Sequence, residues 1–592
     1  MLFFKMDNMR NRLMKIIVLL MTLFQVICCL GQKENQNFID FKATVLEENS
    51  NIILAYANVF NQQKLIGTAT NLEGYFELPN NQIGDTIVIS YLGYEDKILI
   101  LSHEIVEVIE LTPSAGILKE IVVTAESDYL YEMIIKLRRN RKTKSRKAKT
   151  YFYLETLLFD EPIEIIESYY NGKYSNYGLS ELEMKKGRIG LRPVKNRYFS
   201  STESSRIFSL HDFFSKNKLF PSNPLALKKK EFKKKYSLEL SHTYLNKGQN
   251  IFVVDFFPKK EKSDLFSGRI WLDRDRNKVL KIKLKIRNSK VHPFVPIGFN
   301  TIQYVDMEMT KSFEEINNTP FISSIDYNYN VVYQDTSGNE MKATTKAYLN
   351  AYDYNATFDL PNFEFTRHLH EDYRNITAAG YDSIFWNRST EFRFYDRMVE
   401  VENFIKENYI DNNLLFPKRA SIDKQQLEFP YIMWNENRFE MTQVSNDVIE
   451  KSKRTRAFES DRYKFNVKLY CDINFVQDTM IYRLATILDP VGSYYHFQIT
   501  ELDQAFMNMY LDLMEIQKRK FESELSKMQL PSKELVNKLY KKHINEFNTN
   551  KKLFVSETNK GRNWDKMEWW NNYILKALKI DNLKTLNLSG SK

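Results

Sequence analysis

The spacing of apolar residues changes along the chain and predicts three regions of different structure. Between residues 36 and 112, short apolar runs are separated by turn residues, and about seven short strands in this arrangement predict a small β-sandwich. Residues 151–355 keep the strand period, in runs rich in aromatic and β-branched residues. From residue 356 onwards apolar residues recur three or four positions apart, which predicts a mainly helical region.

The middle region gives its clearest pattern in RIWLDRDRNKVLKIKLKI, residues 269–286. Ile270 and Leu272 precede a polar turn at 273–277, after which apolar residues alternate with lysines. This alternation predicts an antiparallel hairpin with one face in water, and the number of such strands predicts a curved sheet or half-barrel. A membrane-spanning barrel is the alternative, but short strands that carry lysines favour a periplasmic domain outside the membrane.

The strongest helical pattern lies in ELDQAFMNMYLDLMEIQKRKFESELSKM, where apolar residues from Leu502 to Ile516 recur at intervals of 4, 3, 4 and 3. Pro531 ends this helix, and Ser532 caps the next one. Further helices are predicted in YDRMVEVENFIKENYI, NDVIEKSKRTRAF and NWDKMEWWNNYILKALK. We expect the tryptophans at 569–570 to be core residues rather than a ligand platform. The predicted fold class is therefore multidomain α+β.

Composition supports several packed domains. The chain has 592 residues, of which 43% are hydrophobic and 14% aromatic. A chain of this length exceeds one core, so we expect about three or four domains and no extensive disorder. With 18 glycines and 15 prolines, the composition excludes collagen-like or linker-dominated structure.

Residues 1–31 have the pattern of a signal peptide. Basic residues precede an apolar stretch at 16–30, which at 15 residues is shorter than the roughly 20 that a spanning helix needs. Small residues at the two positions that a signal peptidase reads predict cleavage after Gly31. The alternatives are a lipoprotein acylated at Cys28 or Cys29 and a retained membrane anchor. No later stretch is predicted to be a transmembrane helix.

Cleavage at this point changes the charge and the cysteine count. It removes four basic residues and one acidic residue, so the formal net charge falls from +10 to +7. Cys471 is then the single cysteine, which excludes an intramolecular disulfide and a thiolate metal cluster.

Three motifs near the start occur in a characteristic order: IGTATNLEGYFELP, DTIVISYLGYE and LKEIVVTA. They resemble the carboxypeptidase regulatory-like domain, a prealbumin-like sandwich found at the start of many Bacteroidetes envelope proteins, including TonB-dependent transporters. The resemblance covers roughly residues 38–125, and Glu73 stands where the family usually has an aspartate before the turn glycine Gly74. It implies an accessory module of the cell envelope and no peptidase activity.

Residues 113–150 are predicted to be a helix followed by a basic linker. Between Lys136 and Lys149 there are nine basic residues and no acidic one. We interpret this run as a solvated helix end, with contact to anionic lipid head groups as the functional alternative. Export argues against nucleic acid as a partner.

The β-rich middle region, residues 151–355, is also similar to lipoprotein-carrier sheets, and that resemblance implies an acyl chain as a ligand.

The search for catalytic chemistry gives one weak candidate. His368 and His370, in HLHED, would point to the same side of a strand, but Tyr373 stands where the HxHxD pattern of metallohydrolases continues with histidine. We interpret this segment as a polar loop. HExxH and GxSxG are absent from the sequence, and Cys471 lies in an apolar run typical of an inert thiol. We therefore assign no catalytic, metal-binding or cofactor-binding residue.

These observations predict a non-enzymatic protein of the cell envelope, located in the periplasm or associated with the outer membrane after signal-peptide cleavage. Its β-rich domain, residues 151–355, would bind a ligand or partner, either an envelope protein or a lipid. One alternative is a periplasmic hydrolase of peptide or glycan that uses carboxylates or His368 and His370. Another is a component of a surface assembly in which the region 356–592 pairs with a second chain.

Overall fold

The fold was analysed in a computed structural model. It describes residues 39–585 except for the following segments: 65, 72, 104–105, 115–127, 140–144, 194–200, 202–203, 247, 261–263, 297–299, 364–370, 389–391, 393–397, 409–430, 437, 440–462, 477–478, 496–498 and 529–530. The predicted signal peptide and the cysteines at 28–29 lie outside the described residues. The chain divides into two compact units, the first ending at Leu111 and the second comprising residues 92–95 and everything from Thr112 onwards.

The first unit is the predicted seven-stranded sandwich. One sheet has the order β4-β1-β7 and the other the order β3-β2-β5-β6. The strands are β1 (Ile39–Glu47), β2 (Asn58–Asn61), β3 (Ile66–Ala69), β4 (Tyr75–Asn81), β5 (Thr86–Ser90), β6 (Lys97–Ile100) and β7 (Val108–Leu111). Val45 and Ile87 are among the side chains that are fully buried, one from each sheet. The prediction of a small β-sandwich is confirmed.

The turn at Gly74 illustrates why the sequence folds this way locally. Gly74 has φ of 75°, a left-handed conformation that favours glycine. A Cβ atom there would lie 2.8 Å from the carbonyl oxygen of Val45. The Asn71 side chain completes the turn by accepting the backbone N–H groups of Glu73 and Tyr75. The turn therefore needs both the glycine and the asparagine.

The second unit is built on one antiparallel sheet of ten strands. Their order is β10-β9-β8-β17-β16-β15-β14-β13-β12-β11. The strands are β8 (Ser145–Leu158), β9 (Glu161–Ser175), β10 (Gly178–Leu191), β11 (Tyr236–Asn246), β12 (Gln249–Pro258), β13 (Ser267–Asp273), β14 (Lys278–Ser289), β15 (Thr301–Ile316), β16 (Thr319–Gln334) and β17 (Glu340–Asp353). The hairpin predicted around 273–277 is present as β13 and β14. The strands are longer than expected, since β15 and β16 have 16 residues each.

The sheet is strongly curved. Tyr177, in the turn between β9 and β10, accepts the backbone N–H of Val279 on β14 at 3.0 Å. Its ring centroid also lies 5.0 Å from that of Phe313 on β15. Four strands separate β9 from β14 in the sheet order, so these contacts require the sheet to curl toward one face. We call this face the inner face, and the predicted curved antiparallel sheet is confirmed.

Helices and one further hairpin complete the second unit. The helices are α1 (Asp128–Arg139), α2 (Ile207–Leu210), α3 (Lys229–Lys235), α4 (Glu371–Ala379), α5 (Ser383–Arg388), α6 (Met398–Asn408), α7 (Glu501–Leu525), α8 (Lys533–Glu557), α9 (Trp564–Leu578) and α10 (Asn582–Thr585). The hairpin consists of β19 (Tyr463–Val476) and β20 (Thr479–Tyr495), with the short β18 (Ile432–Met433) beside β20. The helical pattern did not foresee this hairpin.

The predicted helix signals hold where the structure describes them. Thr500 and Asp503 form a reciprocal capping box at the start of α7, and Ser532 accepts the N–H of Leu535 at the start of α8. The helix predicted at 446–458 lies outside the described residues. Among the helices that the structure describes, none is long and apolar enough to cross a membrane. The predicted boundaries at 150 and 355 stay predictions.

Candidate functional site

The inner face of the large sheet is occupied by the chain itself. The connection between β10 and β11 carries aromatic residues onto this face. Phe208 packs against Phe152 on β8, with ring centroids 5.8 Å apart, and Phe213 packs against Phe313 at 5.6 Å. Phe152, Phe208 and Phe213 belong to one hydrophobic core cluster, and the partly buried Phe313 packs against it. The face on which a carrier protein would hold an acyl chain is therefore covered by residues of this connection.

A group of charges is buried where the hairpin β19–β20 meets β10. A β-bulge between Met184 and Lys186 interrupts the alternation of β10, and the Lys185 and Lys186 side chains both reach Asp472 on β19. The nitrogen–oxygen distances are 2.6 Å for Lys185 and 2.5 Å for Lys186. Lys186 also pairs with Asp382 at 3.1 Å. We call these four residues the buried charge cluster.

The two lysines of this cluster differ in their electrostatics. Burial lowers the pKa of Lys185 and outweighs the attraction of Asp472. Burial also opposes the charge of Lys186, but Asp472 and Asp382 together hold its pKa above the ordinary value. Burial would raise the pKa of Asp472, and the two lysines instead lower it. With two positive and two negative groups, the cluster is balanced, which suits a structural clamp between β10 and β19.

The acidic end of the HLHED motif is a hydrogen-bond acceptor inside the protein. Asp372 accepts the Tyr170 hydroxyl at 2.6 Å and the backbone N–H of Ser205 at 2.7 Å, and it also bonds the hydroxyl of Ser204. His368 and His370 lie outside the described residues. Within the part of the chain that the structure describes, no three His, Cys, Asp or Glu side chains are grouped to hold a metal ion.

Other residues singled out from the sequence have ordinary surroundings. Burial raises the pKa of the Cys471 thiol to about 12, so the thiolate is scarce at neutral pH. Trp570 is buried and donates its indole N–H to Glu557, whereas Trp569 is 55% exposed, so the expectation of two core tryptophans is wrong for Trp569. The basic run also differs from the predicted linker, because its residues from Ser145 onwards belong to β8.

The first unit presents an open apolar edge at β6. In the described part of the chain β6 is the outermost strand of its sheet, paired only with β5. Leu101 donates its backbone N–H to Asp85 at 2.9 Å, which sets the alternation of the ladder. In an antiparallel pair, alternate residues direct both main-chain groups to the same side. The N–H and C=O groups of Ile98 and Ile100 therefore face away from β5.

The side chains of this edge are apolar and exposed. Ile98 is 62% exposed and Ile100 is 71% exposed. Ile98 lies opposite Val88, which in turn lies opposite Phe60 on β2, so the three form an outward-facing row across the sheet. We call Phe60, Val88, Ile98 and Ile100 the apolar edge. Natural proteins usually protect an edge strand with charge, proline or a bulge, and β11 of the second unit has such a bulge at Leu240.

The family comparison concerns mainly this same unit. Residues 41–123 match the CarboxypepD_reg-like domain family. This regulatory-like domain bears out the resemblance expected from the three motifs, and it covers a limited segment of the chain. It suggests a cell-envelope protein and is consistent with a location in the envelope or periplasm. No curated protein matches the sequence.

Solved structures show only remote likeness. An outer membrane lipoprotein-sorting protein domain from Vibrio parahaemolyticus aligns at 10% identity and a TM-score of 0.17, over 39% of this chain and 93% of that chain. A LolA superfamily protein from Nitrosomonas europaea aligns at 10% identity and a TM-score of 0.15, over 38% and 93%. MucB aligns at 11% identity and a TM-score of 0.15, over the same shares. We draw no conclusion from likenesses at these TM-scores.

The sequence did not reveal the apolar edge or the buried charge cluster. The run DKILIL reads as a strand, but nothing in it tells an edge strand from a central one. Two adjacent lysines at 185 and 186 in a strand normally face opposite sides, and only the bulge brings them together. The sequence held one signal for the exposed apolar edge: β6 contains no proline and no charged residue other than Lys97.

Proposed function

We propose that this chain is a non-enzymatic protein of the cell envelope whose regulatory-like domain binds an extended segment of a partner protein. The observation that carries the proposal is the apolar edge. Among the described residues, nothing pairs with the outward main-chain groups of Ile98 and Ile100, and their side chains are exposed on the outward face. An added strand would gain main-chain hydrogen bonds from β6 and cover the apolar row, which is the known logic of β-strand addition.

The size of the edge favours a different protein over a second copy of this chain. Two β6 strands paired about Leu99 would form roughly four main-chain hydrogen bonds and bury only their isoleucines. A stable interface usually buries more than about 1,000 Å². A partner segment that continues beyond β6 across Val88 and Phe60 would cover the whole row. We therefore infer a partner segment in which apolar residues alternate, so that one of its faces matches the row.

The filled inner face supports a scaffold role for the large sheet. Phe208 and Phe213 occupy the place where an acyl carrier would hold its ligand. The sheet and its clamp to β19 instead provide a rigid body to which the regulatory-like domain is attached. We propose that the mature protein acts in the periplasm or at the outer membrane, after cleavage following Gly31. The mass of the mature chain purified from cells tests the cleavage.

Binding at the edge can be tested by replacing single main-chain donors. Ile98→Pro removes the N–H that faces outward and leaves the bonds between β5 and β6, because proline is tolerated at an edge strand whose N–H faces solvent. Ile98→Val keeps the donor and serves as the matched control. A photoreactive residue at position 97 reports contact with a partner in intact cells.

The expected result is a covalent adduct with one envelope protein that Ile98→Pro abolishes and Ile98→Val retains. Mass spectrometry should locate the adduct in a segment of alternating apolar residues. An adduct that persists in Ile98→Pro would contradict strand addition. An adduct with the mass of two copies of this chain would instead show self-association.

A further inference from the structure

A strongly basic surface lies at the open end of the large sheet. The helix α3 has the sequence KKEFKKK and leads directly into the edge strand β11. The end of β12 lies beside it, because Lys259 donates its backbone N–H to Lys235 at 2.8 Å and its amine to the carbonyl of Lys233 at 2.9 Å. We call the exposed lysines of this area the basic surface; they are Lys228, Lys230, Lys234 and Lys259.

The carboxylates of α1 and α3 are already used by other lysines. Glu231 pairs with Lys216 and Lys235, at 2.7 Å and 2.9 Å. Asp128 and Glu132 on α1 pair with the lysines at 233 and 229, respectively. Among the described residues, no carboxylate lies within ion-pair distance of the amines of Lys228, Lys230 or Lys234. The basic surface therefore has a local excess of positive charge.

The positions of Lys228 and Lys230 oppose the stability of the helix that carries them. Phe232 is fully buried, and residues two positions before and after it point about 160° away, so Lys230 and Lys234 share the outward face. Like charges four residues apart repel each other. Lys228 occupies the N-cap without a capping hydrogen bond, where the helix dipole also disfavours positive charge. Local rules broken in this way typically mark a functional surface.

An exposed aromatic side chain borders the basic surface. Phe257 is 42% exposed, lies opposite Ser237 and is two residues from Lys259. A surface that combines lysines with an exposed aromatic ring suits the boundary between head groups and acyl chains of a membrane. A soluble polyanion would use the lysines but gain little from the ring.

We propose that the basic surface binds the plane of a membrane that contains anionic lipids. The lysines would lie against the lipid phosphates, while Phe257 would enter the head-group layer. This contact goes beyond the proposed function, because it needs neither β6 nor a partner protein. Ile98→Pro should therefore leave it unchanged, so failure of one proposal can be told from failure of the other.

The experiment measures co-sedimentation of the mature chain with vesicles. Vesicles of phosphatidylcholine with one-third phosphatidylglycerol are compared with vesicles of pure phosphatidylcholine, at low and at physiological ionic strength. The variant K228Q/K230Q/K234Q removes three charges from the basic surface. The variant K538Q/K541Q/K552Q removes three exposed lysine charges from α8 and is the matched control.

We expect binding to the anionic vesicles only, with weaker binding as salt increases. The basic-surface variant should weaken the partition coefficient by about 100-fold, since each lysine near an anionic surface contributes about fivefold. The α8 control should bind like the unmodified protein. Phe257→Ser should weaken binding severalfold at both ionic strengths, because its contribution is apolar.

Three results would overturn the proposal. An equal loss in the α8 control would mean that net charge, not this surface, attracts the protein. No loss in Phe257→Ser, together with equally tight binding of the protein to soluble heparin, would identify an acidic macromolecule rather than a lipid surface. Equal binding to both kinds of vesicle would likewise exclude recognition of anionic lipid.

Discussion

Removing Asp472 should expose the energetics of the buried charge cluster. Asp472→Ala leaves Lys186 paired with Asp382 at 3.1 Å but takes away the carboxylate that Lys185 contacts at 2.6 Å. A fully buried lysine without its partner releases its proton rather than stay charged. Releasing that proton at pH 7 costs about 4.6 kcal/mol, since the ordinary lysine pKa is about 10.4. This agrees with the 3–5 kcal/mol typical of breaking a buried ion pair.

The same reasoning predicts how the loss depends on pH. In the variant the folded state holds Lys185 neutral, while the unfolded state binds one more proton below pH 10.4 or so. Stability of the variant relative to the unmodified protein must therefore rise with pH. Because the lowered pKa of Lys185 already costs the unmodified protein part of this energy, the penalty should fall by up to about 2.7 kcal/mol between pH 7 and pH 9. Urea titrations at the two pH values measure it, and hydrogen exchange in β19 and β20 localises it.

Two further variants separate charge from shape. Asp472→Asn keeps the size of the side chain and should show the same dependence on pH. The double variant Lys185→Met/Asp472→Ala leaves only the balanced pair of Lys186 and Asp382, so it should recover most of the lost stability. A penalty that is equal at pH 7 and pH 9, or no recovery in the double variant, would refute the account of the cluster as a charge-balanced clamp.

The structure makes three other predictions, two on stability and one on thiol reactivity. Gly268→Ala should lower the free energy of unfolding by about 1–3 kcal/mol or more, and with it the thermal midpoint, because the new Cβ would lie 1.9 Å from the backbone oxygen of Lys283. Gly248→Ala is the control: its Cβ meets nothing within 4 Å, so it should cost only the strain of its positive φ. Asp512→Ala should cost about 3–5 kcal/mol in thermal unfolding of the helical region, because it leaves the buried Arg438 without its carboxylate; an unchanged midpoint would contradict this. Cys471 should resist a thiol reagent in native buffer and react fully in urea, as expected of a thiol whose pKa is raised to about 12; rapid native labelling would contradict its burial.

Local patterns predicted the elements whose signals are short in range. The alternation around Ile270 and Ile282 predicted the hairpin β13–β14, and the capping residue Ser532 predicted the start of α8. The motifs around Gly74 predicted the sandwich, because the turn there is closed by the side chain of Asn71, three residues before the glycine. In each case the information lies within about ten residues.

Features that depend on distant residues were not predictable. Nothing near Lys185 indicates that its partner is Asp472, since that pairing depends on a bulge and on the placement of β19. The segment around Cys471 reads as an apolar strand, but its pairing with β20 inside a region of helical period was not foreseen. Exposure of Ile98 likewise depends on β6 being the last strand of its sheet. Single-sequence patterns specify local geometry and not the choice of long-range neighbour.

The pairing of β8 with β17 at the centre of the large sheet has a consequence for biosynthesis. Leu154 pairs with Ala347, so the edge of β8 opposite β9 has to wait until nearly two hundred more residues have been made. At typical translation rates of 5–20 residues per second, this delay lasts roughly 10–40 s. Throughout it, the β8 edge that carries Phe152 and Leu154 is open to wrong neighbours. A holding chaperone that shields nascent strands should therefore raise the yield of folded protein. The increase should be larger for this protein than for one whose sheet is built only from consecutive hairpins.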